Sequence, residues 1–326
     1  MKLPRRSFLH LAAGAAALLA IPHIARAQAY PTRPVRMVVG FPAGGSQDII
    51  GRLVGQWLSE RLGQQFVIEN RAGDAGNVGA EAVVRAPTDG YTLLLVGSNH
   101  AVNATLYDKL NFNFIRDIAP VAGVLRTPSV LLVNPSVPAK TVSEFIAYVK
   151  ATPRKLNMAS AGCGTPPHLQ GELFKLAAGV DMLHVPYRGG GPAFIDLVGG
   201  QVQVSFGSVP QSIEHIKAGR LRALAVTGAT RSEVLPDVPT MGEFVPGFEA
   251  TVWFGVGAPK STPAEIIQRL NNEFNAALAD LNARARLAEL GLTVTTGSPA
   301  DFGKLIADET EKWGKVVRAA NIKPEC

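Results

Sequence analysis

Short apolar runs separated by stretches of helical periodicity follow one another from Val35 onward, and that alternation restricts the chain to an α/β architecture with mostly parallel sheets. Met37 to Phe41, Leu93 to Val96, Val130 to Val133, Leu156 to Ala159, Val202 to Phe206 and Leu221 to Val226 read as strands, several of them apolar on both faces. Between the first two, Ile49, Ile50, Leu53, Val54, Trp57, Leu58 and Leu62 fall on one helical face, and Gly63 follows as a stop. Three later helices declare their starts: Thr141 with Glu144, Thr262 with Glu265 and Ser298 with Asp301 each set a capping hydroxyl three residues before an acid. Pro263 and Pro299 read as first helical residues, where a missing amide costs nothing.

Segment order divides the chain. The stretch from Val130 to about Ala250 carries its own strands and helices, while the stretch after Trp253 adds one strand and the closing helices. Crossing the same boundary twice, near Thr127 to Val130 and near Trp253 to Gly257, gives two lobes, 28–127 with 255–326 against 128–254. A hinge at the crossings then opens and closes a central ligand cleft.

Residues 1–27 read as an export signal. Pro4-Arg5-Arg6-Ser7-Phe8-Leu9 precedes an Ala/Leu run that ends at Ala25-Arg26-Ala27, a basic segment, an apolar stretch and a small-x-small cleavage site. The paired arginines before Ser-Phe-Leu resemble a twin-arginine signal, with an ordinary Sec signal as the alternative, and either sends the mature chain to the periplasm. The signal carries Lys2, Arg5, Arg6 and Arg26, so most of the formal charge of +6 leaves with it. The remaining basic residues are scattered and no stripe interleaves them with aromatics, which argues against a nucleic-acid partner. Every later apolar run is interrupted by Gly, Pro or a charge before the roughly 18 residues that a membrane span needs. The cysteines are Cys163 and Cys326. A bridge between them is one option, but two unrelated thiols are expected, because a core of this size needs no staple.

Three loops follow strands and open helices: Phe41-Pro42-Ala43-Gly44-Gly45-Ser46-Gln47-Asp48, Gly97-Ser98-Asn99-His100-Ala101-Val102-Asn103 and Ala159-Ser160-Ala161-Gly162-Cys163-Gly164-Thr165-Pro166-Pro167-His168. Helix N-termini expose unpaired amides and a partial positive charge, so each loop can receive an anion. None contains Lys or Arg, so capture of a carboxylate would fall to backbone amides, hydroxyls, bridging water and His100 or His168. Any one such loop is equally well a tight turn; three at strand ends point to a site. Asp48 has two readings, a first-turn acid placed for the helix dipole or an acceptor for a ligand hydroxyl or amine.

Further segments carry a family resemblance across the mature chain. Tyr30-Pro31-Thr32-Arg33-Pro34-Val35-Arg36, the loop from Phe41 to Asp48, Glu69-Asn70-Arg71, Pro87-Thr88-Asp89-Gly90-Tyr91-Thr92-Leu93, His184-Val185-Pro186-Tyr187-Arg188-Gly189, Gly199-Gly200-Gln201-Val202 and Leu235-Pro236-Asp237-Val238-Pro239-Thr240 resemble the Bug family, the extracytoplasmic solute receptors of tripartite tricarboxylate transporters. The resemblance implies a two-lobed fold like that of type II periplasmic binding proteins, with sheets flanked by helices, closing on a small carboxylate and presenting it to membrane permease subunits. It implies a monomer without catalytic activity, cofactor or metal. The carboxylate would be gripped between the first and third loops: Ala43, Gly44, Gly45, Ser46 and Asp48 on one side, Ser160, Ala161, Cys163, Gly164, Thr165 and His168 on the other. Ser98, His100 and Asn103 form a second lip, and Phe41 and Tyr187 are candidate apolar or stacking walls.

The sequence departs from the family pattern in places. Where relatives often carry an acid or amide after Val204-Ser205-Phe206, this chain has Gly207, which argues against an amino-acid ligand. Cys163 between glycines and Pro166-Pro167 before His168 are unusual, and Asp74 interrupts a stretch that is often richer in glycine. Other readings of the same residues are an exported NAD(P)-dependent oxidoreductase built on the third loop, a thiol hydrolase built on Cys163 with His168 or His184, and a receptor that presents its ligand to a sensor kinase. Against the first, Pro167 stands where a dinucleotide fingerprint wants its third glycine. Against the second, sequence shows only proximity of thiol and imidazole, and Cys163 with His168 is likewise too sparse a set for a metal.

Overall fold

The computed structural model describes residues 30–107 and 109–324, so the export signal read at 1–27 and the terminal Cys326 lie outside the described residues. In chain order the strands are β1 (Val35–Val39), β2 (Phe66–Asn70), β3 (Thr92–Gly97), β4 (Ile118–Val133), β5 (Asn157–Ser160), β6 (Leu183–Pro186), β7 (Val204–Ser208), β8 (Arg222–Val226), β9 (Thr251–Pro259) and β10 (Thr293–Val294). The helices are α1 (Ser46–Leu62), α2 (Asn77–Val84), α3 (Ser98–Leu106), α4 (Phe114–Asp117), α5 (Val142–Ala151), α6 (Pro166–Ala178), α7 (Gly190–Val198), α8 (Val209–Lys217), α9 (Ala264–Ala279), α10 (Leu281–Glu289) and α11 (Pro299–Ala319).

The strands follow the order β2-β1-β3-β9-β4-β7-β5-β6, with β8 and β10 also paired to β4. At one end β1 runs parallel to β2 and β3; at the other β5 runs parallel to β6 and β7. The antiparallel strands β9 and β4 join these halves, so the sheet is mixed. The long strand β4 belongs to both: Ile118 to Pro128 ladders with β9, and Ser129 to Val133 with β7 and β8. Sequence reading found only Val130 to Val133, because Pro120, Gly123, Arg126 and Pro128 break the apolar run upstream. Pro120 and Gly123 fall at register shifts, between Pro120 and Ala122 and between Gly123 and Leu125, where a ladder bond is not required, while Arg126 and Pro128 stay in register with Trp253 and Thr251.

Local chemistry sets the helix ends. Ser298 and Asp301 form the reciprocal cap at the start of α11, with the Asp301 amide donating to Ser298 Oγ and the Ser298 amide to Asp301 Oδ2. Thr141 accepts the Glu144 amide at 3.2 Å before α5. The box expected at Thr262 does not form. Its amide donates to the Pro259 carbonyl in a turn and its hydroxyl is buried without a partner, so Pro263 becomes the cap and α9 begins at Ala264.

Two cores are bridged by α11. Phe302 and Ile306 pack with Val38, Leu94, Val96 and Trp253, whereas Trp313 and Val317 pack with Leu131, Met158, Phe174 and Phe206. Burying such side chains contributes about 1.5–3 kcal/mol each. The indole N–H groups of Trp253 and Trp313 both donate to Glu309 Oε2, at 3.2 and 2.9 Å, which fixes the helix against both cores through one carboxylate. Among the described residues, no helix is long and apolar enough to cross a membrane.

Candidate functional site

Five parallel-strand exits lead into helices, and the starts of those helices converge on one cavity. Gly45, Ser46 and Gln47 come from the start of α1, Ser98 and Asn99 from α3, Pro166 and Pro167 from α6, Gly190, Ala193 and Phe194 from α7, and Gln211 from α8. Phe41, Ser129, Ser160, Ala161, Thr165, Ser205, Phe206, Gly207, Ser208, Val252 and Phe254 complete the wall around about 740 Å³ of space, counting the open mouth. No lining residue is charged. Such a cavity can hold an anion only through dipoles, amides and hydroxyls at the helix starts.

Most lining polar groups are already engaged. Ser46 Oγ and Ser208 Oγ lie 2.9 Å apart, Thr165 Oγ1 donates to the Gly162 carbonyl at 2.6 Å, Ser205 Oγ to the Ala159 carbonyl at 3.0 Å, and Gln211 Nε2 to the Gly190 carbonyl at 3.1 Å. Ser160 Oγ sits 2.7 Å from His184 Nε2 and accepts the Gly162 amide at 3.2 Å. Gln47 Nε2 donates to Asn99 Oδ1 at 2.7 Å, and Asn99 Nδ2 to the Ala75 carbonyl at 2.8 Å, which fixes both amides. Gln47 Oε1 and Ser98 Oγ remain buried without a partner. Gly97 makes room for the Gln47–Asn99 pair, because a Cβ there would lie 2.5 Å from Gln47 Nε2 and 2.8 Å from Asn99 Oδ1.

Of the candidates read from sequence, Phe41, Gly45, Ser46, Ser98, Ser160, Ala161, Thr165 and Gly207 line the cavity. Ala43 and Gly44 lie against the glycine run of α7, where a Cβ on Gly191 would be 3.1 Å from the Ala43 carbonyl oxygen. The Gly44 amide is not free for a ligand: it donates to Asp48 Oδ2 at 3.0 Å. Asp48 is buried beneath the loop and also holds Arg52 at 2.9 Å and Asn70 Nδ2 at 3.0 Å. Burial raises its pKa, but the bonds from Arg52, Gly44 and Asn70 outweigh it and hold the carboxyl below its usual range. Asp48 thus buttresses the loop from behind.

The other candidates stand one layer behind the lining. His100 stacks on Phe114 at 5.0 Å and its Nδ1 accepts the Gly97 amide at 3.1 Å; burial lowers its pKa to about 4, so it is neutral. Asn103 donates to the Ala75 carbonyl and to Asn77 Oδ1, supporting the loop before α2. Tyr187 donates to Asp196 Oδ2 at 2.6 Å, and burial together with that carboxylate raises its pKa to about 12. His168 and His184 stack at 3.9 Å with rings 4° from parallel. His168 Nδ1 accepts the Gly164 amide at 3.1 Å, so its proton sits on Nε2, toward Glu172 at 3.8 Å. Burial lowers the two imidazoles to about 4 and about 3. Cys163 is disulfide-bonded, which corrects the expectation of unrelated thiols and removes the nucleophile of a thiol hydrolase. Among the described residues no group of three or more His, Cys, Asp or Glu is placed to hold a metal ion.

Sequence reading did not place Gln47, Asn99, Ser129, Pro166, Pro167, Gly190, Ala193, Phe194, Ser205, Phe206, Ser208, Gln211, Val252 or Phe254 at the site. The aromatic and aliphatic members have the pattern of ordinary core residues. Gln47 alone carried a signal, as a polar residue in the first turn of a helix after a glycine pair.

Comparison with known proteins places these features in a group. Residues 50–322 match the family described as "Tripartite tricarboxylate transporter family receptor". The chain is 40% identical over 300 residues to the protein BugT of Bordetella pertussis, covering 91% of this chain and 92% of BugT. Among solved structures it is similar to R. palustris Rpa4515 with adipate, at 39% identity and TM-score 0.88, covering 90% of this chain and 99% of that one. MatC from Rhodopseudomonas palustris with bound malate is 34% identical with TM-score 0.83, covering 88% of this chain and 100% of that one.

Proposed function

The chain belongs to the tripartite tricarboxylate transporter receptor family, and on that premise we propose that it is a periplasmic receptor for a small organic carboxylate, which it delivers to the membrane permease subunits of such a transporter. The observation that carries this reading is the uncharged cavity at five helix starts, lined by serine and threonine hydroxyls and by the first turns of those helices. Dipoles and hydroxyls suit reversible capture of an anion, because they bind it without a fixed countercharge that would have to be neutralised again on release. The solved structures of Rpa4515 with adipate and MatC with malate support carboxylate as the ligand class.

In this reading residues 28–127 with 255–326 and residues 128–254 act as lobes that close over the cavity, hinged where β4 and β9 cross between the sheet halves. Residues 1–27 direct export and are removed. The protein performs no chemistry on its ligand. Phe41, Gly45, Ser46, Ser98, Ser160, Ala161, Thr165 and Gly207 touch the ligand, while Ala43, Gly44, Asp48, His100, Asn103, Cys163, Gly164, His168 and Tyr187 hold those residues in place.

Thermal unfolding of the purified protein against mono-, di- and tricarboxylates, aromatic acids, amino acids and NAD(P) tests the reading. A ligand at about 100 times its dissociation constant adds roughly 2.7 kcal/mol of stability. A carboxylate that raises the transition and is recovered unchanged is the expected result; a shift with NAD(P) alone overturns it.

A further inference from the structure

Cys163 stands at the middle of the third loop. Ser160 and Ala161 before it and Thr165 after it line the cavity, whereas Cys163 does not; it is half-buried and disulfide-bonded. The glycines on either side, Gly162 and Gly164, have φ of +126° and +73°, so the loop keeps a backbone form that only glycine adopts easily. Two stacked imidazoles hold it on the side of α6 and β6: His184 Nε2 lies 2.7 Å from Ser160 Oγ, and His168 Nδ1 accepts the Gly164 amide at 3.1 Å. The end of the chain arrives at the same imidazoles. Beyond α11, Ile322 packs in the core with Phe174 and Phe206, and Ala320, Asn321, Ile322 and Lys323 line a surface groove together with His168 and His184. The one other cysteine of the sequence, Cys326, follows Pro324 by two residues, a reach of up to about 7 Å.

We propose that Cys163 is bridged to Cys326 and that the bridge clamps the third loop to the end of the chain, so that the cavity wall made by Ser160, Ala161 and Thr165 keeps the form that receives a ligand. The inference goes beyond the receptor reading, since the clamp holds whatever the cavity takes. As the Sγ–Sγ bond forms, the two thiols give up two protons and two electrons to a disulfide donor, which is reduced to its dithiol. A loop with a glycine on each side of its cysteine has much backbone freedom, and a covalent tie at its middle removes that freedom without placing a new group in the cavity. Without the tie the loop spends part of its time in other forms, and apparent affinity falls by the fraction that stays competent.

A tryptic map of the non-reduced protein tests the pairing: residues 156–175, which contain Cys163, should be joined to residues 319–326. Free thiols on both peptides, or residues 156–175 joined to a second copy of themselves, overturn it. Cys326→Ser tests the clamp, because it removes the tie and leaves the loop sequence intact. Amide exchange at Gly162, Gly164 and Thr165 should rise about tenfold in that variant, and to the same degree in wild-type protein reduced after folding by dithiothreitol, whose two thiols supply the two electrons and two protons. A rise confined to the strands β1 and β3, the mark of a bridge that acts only on the unfolded chain, or no rise at all, overturns the clamp. Neither measurement needs a ligand. Adipate, titrated calorimetrically, should bind wild type about three- to tenfold tighter than Cys326→Ser. Equal affinities overturn the clamp's bearing on the site, whereas no binding of adipate to either form counts against the receptor reading and leaves the clamp to be decided by the map and the exchange.

Discussion

Ser46 Oγ, at the start of α1, lies 2.9 Å from Ser208 Oγ, at the end of β7, and this hydroxyl pair in the cavity wall ties the sheet half of β1 to the sheet half of β5. One hydroxyl donates to the other, so removing either breaks the same bond. Ser46→Ala or Ser208→Ala should weaken carboxylate binding about two- to tenfold, the net worth of one hydrogen bond. The double variant should be no worse than the weaker single one, since both delete one interaction. Additive losses in calorimetric titration would show that the two serines act separately.

The glycine run at 189–191 approaches the first loop backbone to backbone. A Cβ on Gly189 would lie 2.6 Å from Pro42 Cδ, and the residue has φ of +125°, which L side chains rarely adopt. Gly189→Ala should destabilise the protein by about 1–3 kcal/mol and weaken ligand binding, because the Pro42 loop must withdraw from α7. Denaturant unfolding and titration of the variant check both effects. Wild-type values would show that this contact is soft.

Three buried imidazoles make stability sensitive to acid. His100 and His168 are held neutral at about 4 by burial, against 6.5 for the free side chain, and His184 at about 3. The unfolded chain therefore takes up protons near 6.5 that the folded chain refuses. Stability is complete above that value and is lost as pH falls toward 4, by on the order of 1 kcal/mol per pH unit for each ring. Urea unfolding at pH 7, 6 and 5 should show this fall, and His168→Gln should flatten part of it. A pH-independent midpoint across that window would contradict the buried neutral assignment.

Asp48 is expected to matter for the loop and not for ligand identity. Asp48→Ala removes the acceptor of the Gly44 amide and the partner of Asn70 and Arg52, and should cost about 1–3 kcal/mol of stability. Affinities for all carboxylates should fall by a common factor, with their rank order kept. A changed rank order would place Asp48 in contact with the ligand.

The backbone plan was readable because it rests on local rules. Ser298 and Asp301 form the cap their spacing announces, Gly63 ends α1 with φ of +66°, and the apolar runs from Met37, Leu93 and Val202 fall within or overlap β1, β3 and β7. The site was readable only as far as its loops. Whether an amide is free depends on a side chain that returns to it, as Asp48 does to Gly44 and His168 to Gly164, and spacing does not reveal such returns. The apolar wall was hidden for the opposite reason: Phe194, Phe206, Val252 and Phe254 sit on elements whose pattern is that of any buried face, and only the crossing of β4 and β9 brings them to one cavity.

The most direct test of the account is a crystal structure of the protein grown with a carboxylate that raises its unfolding transition. The account expects the ligand inside the cavity at the five helix starts, its carboxylate within hydrogen-bonding distance of first-turn amides or lining hydroxyls and of no Lys or Arg side chain. A ligand seated outside that cavity, or a carboxylate paired with a Lys or Arg side chain, would contradict it.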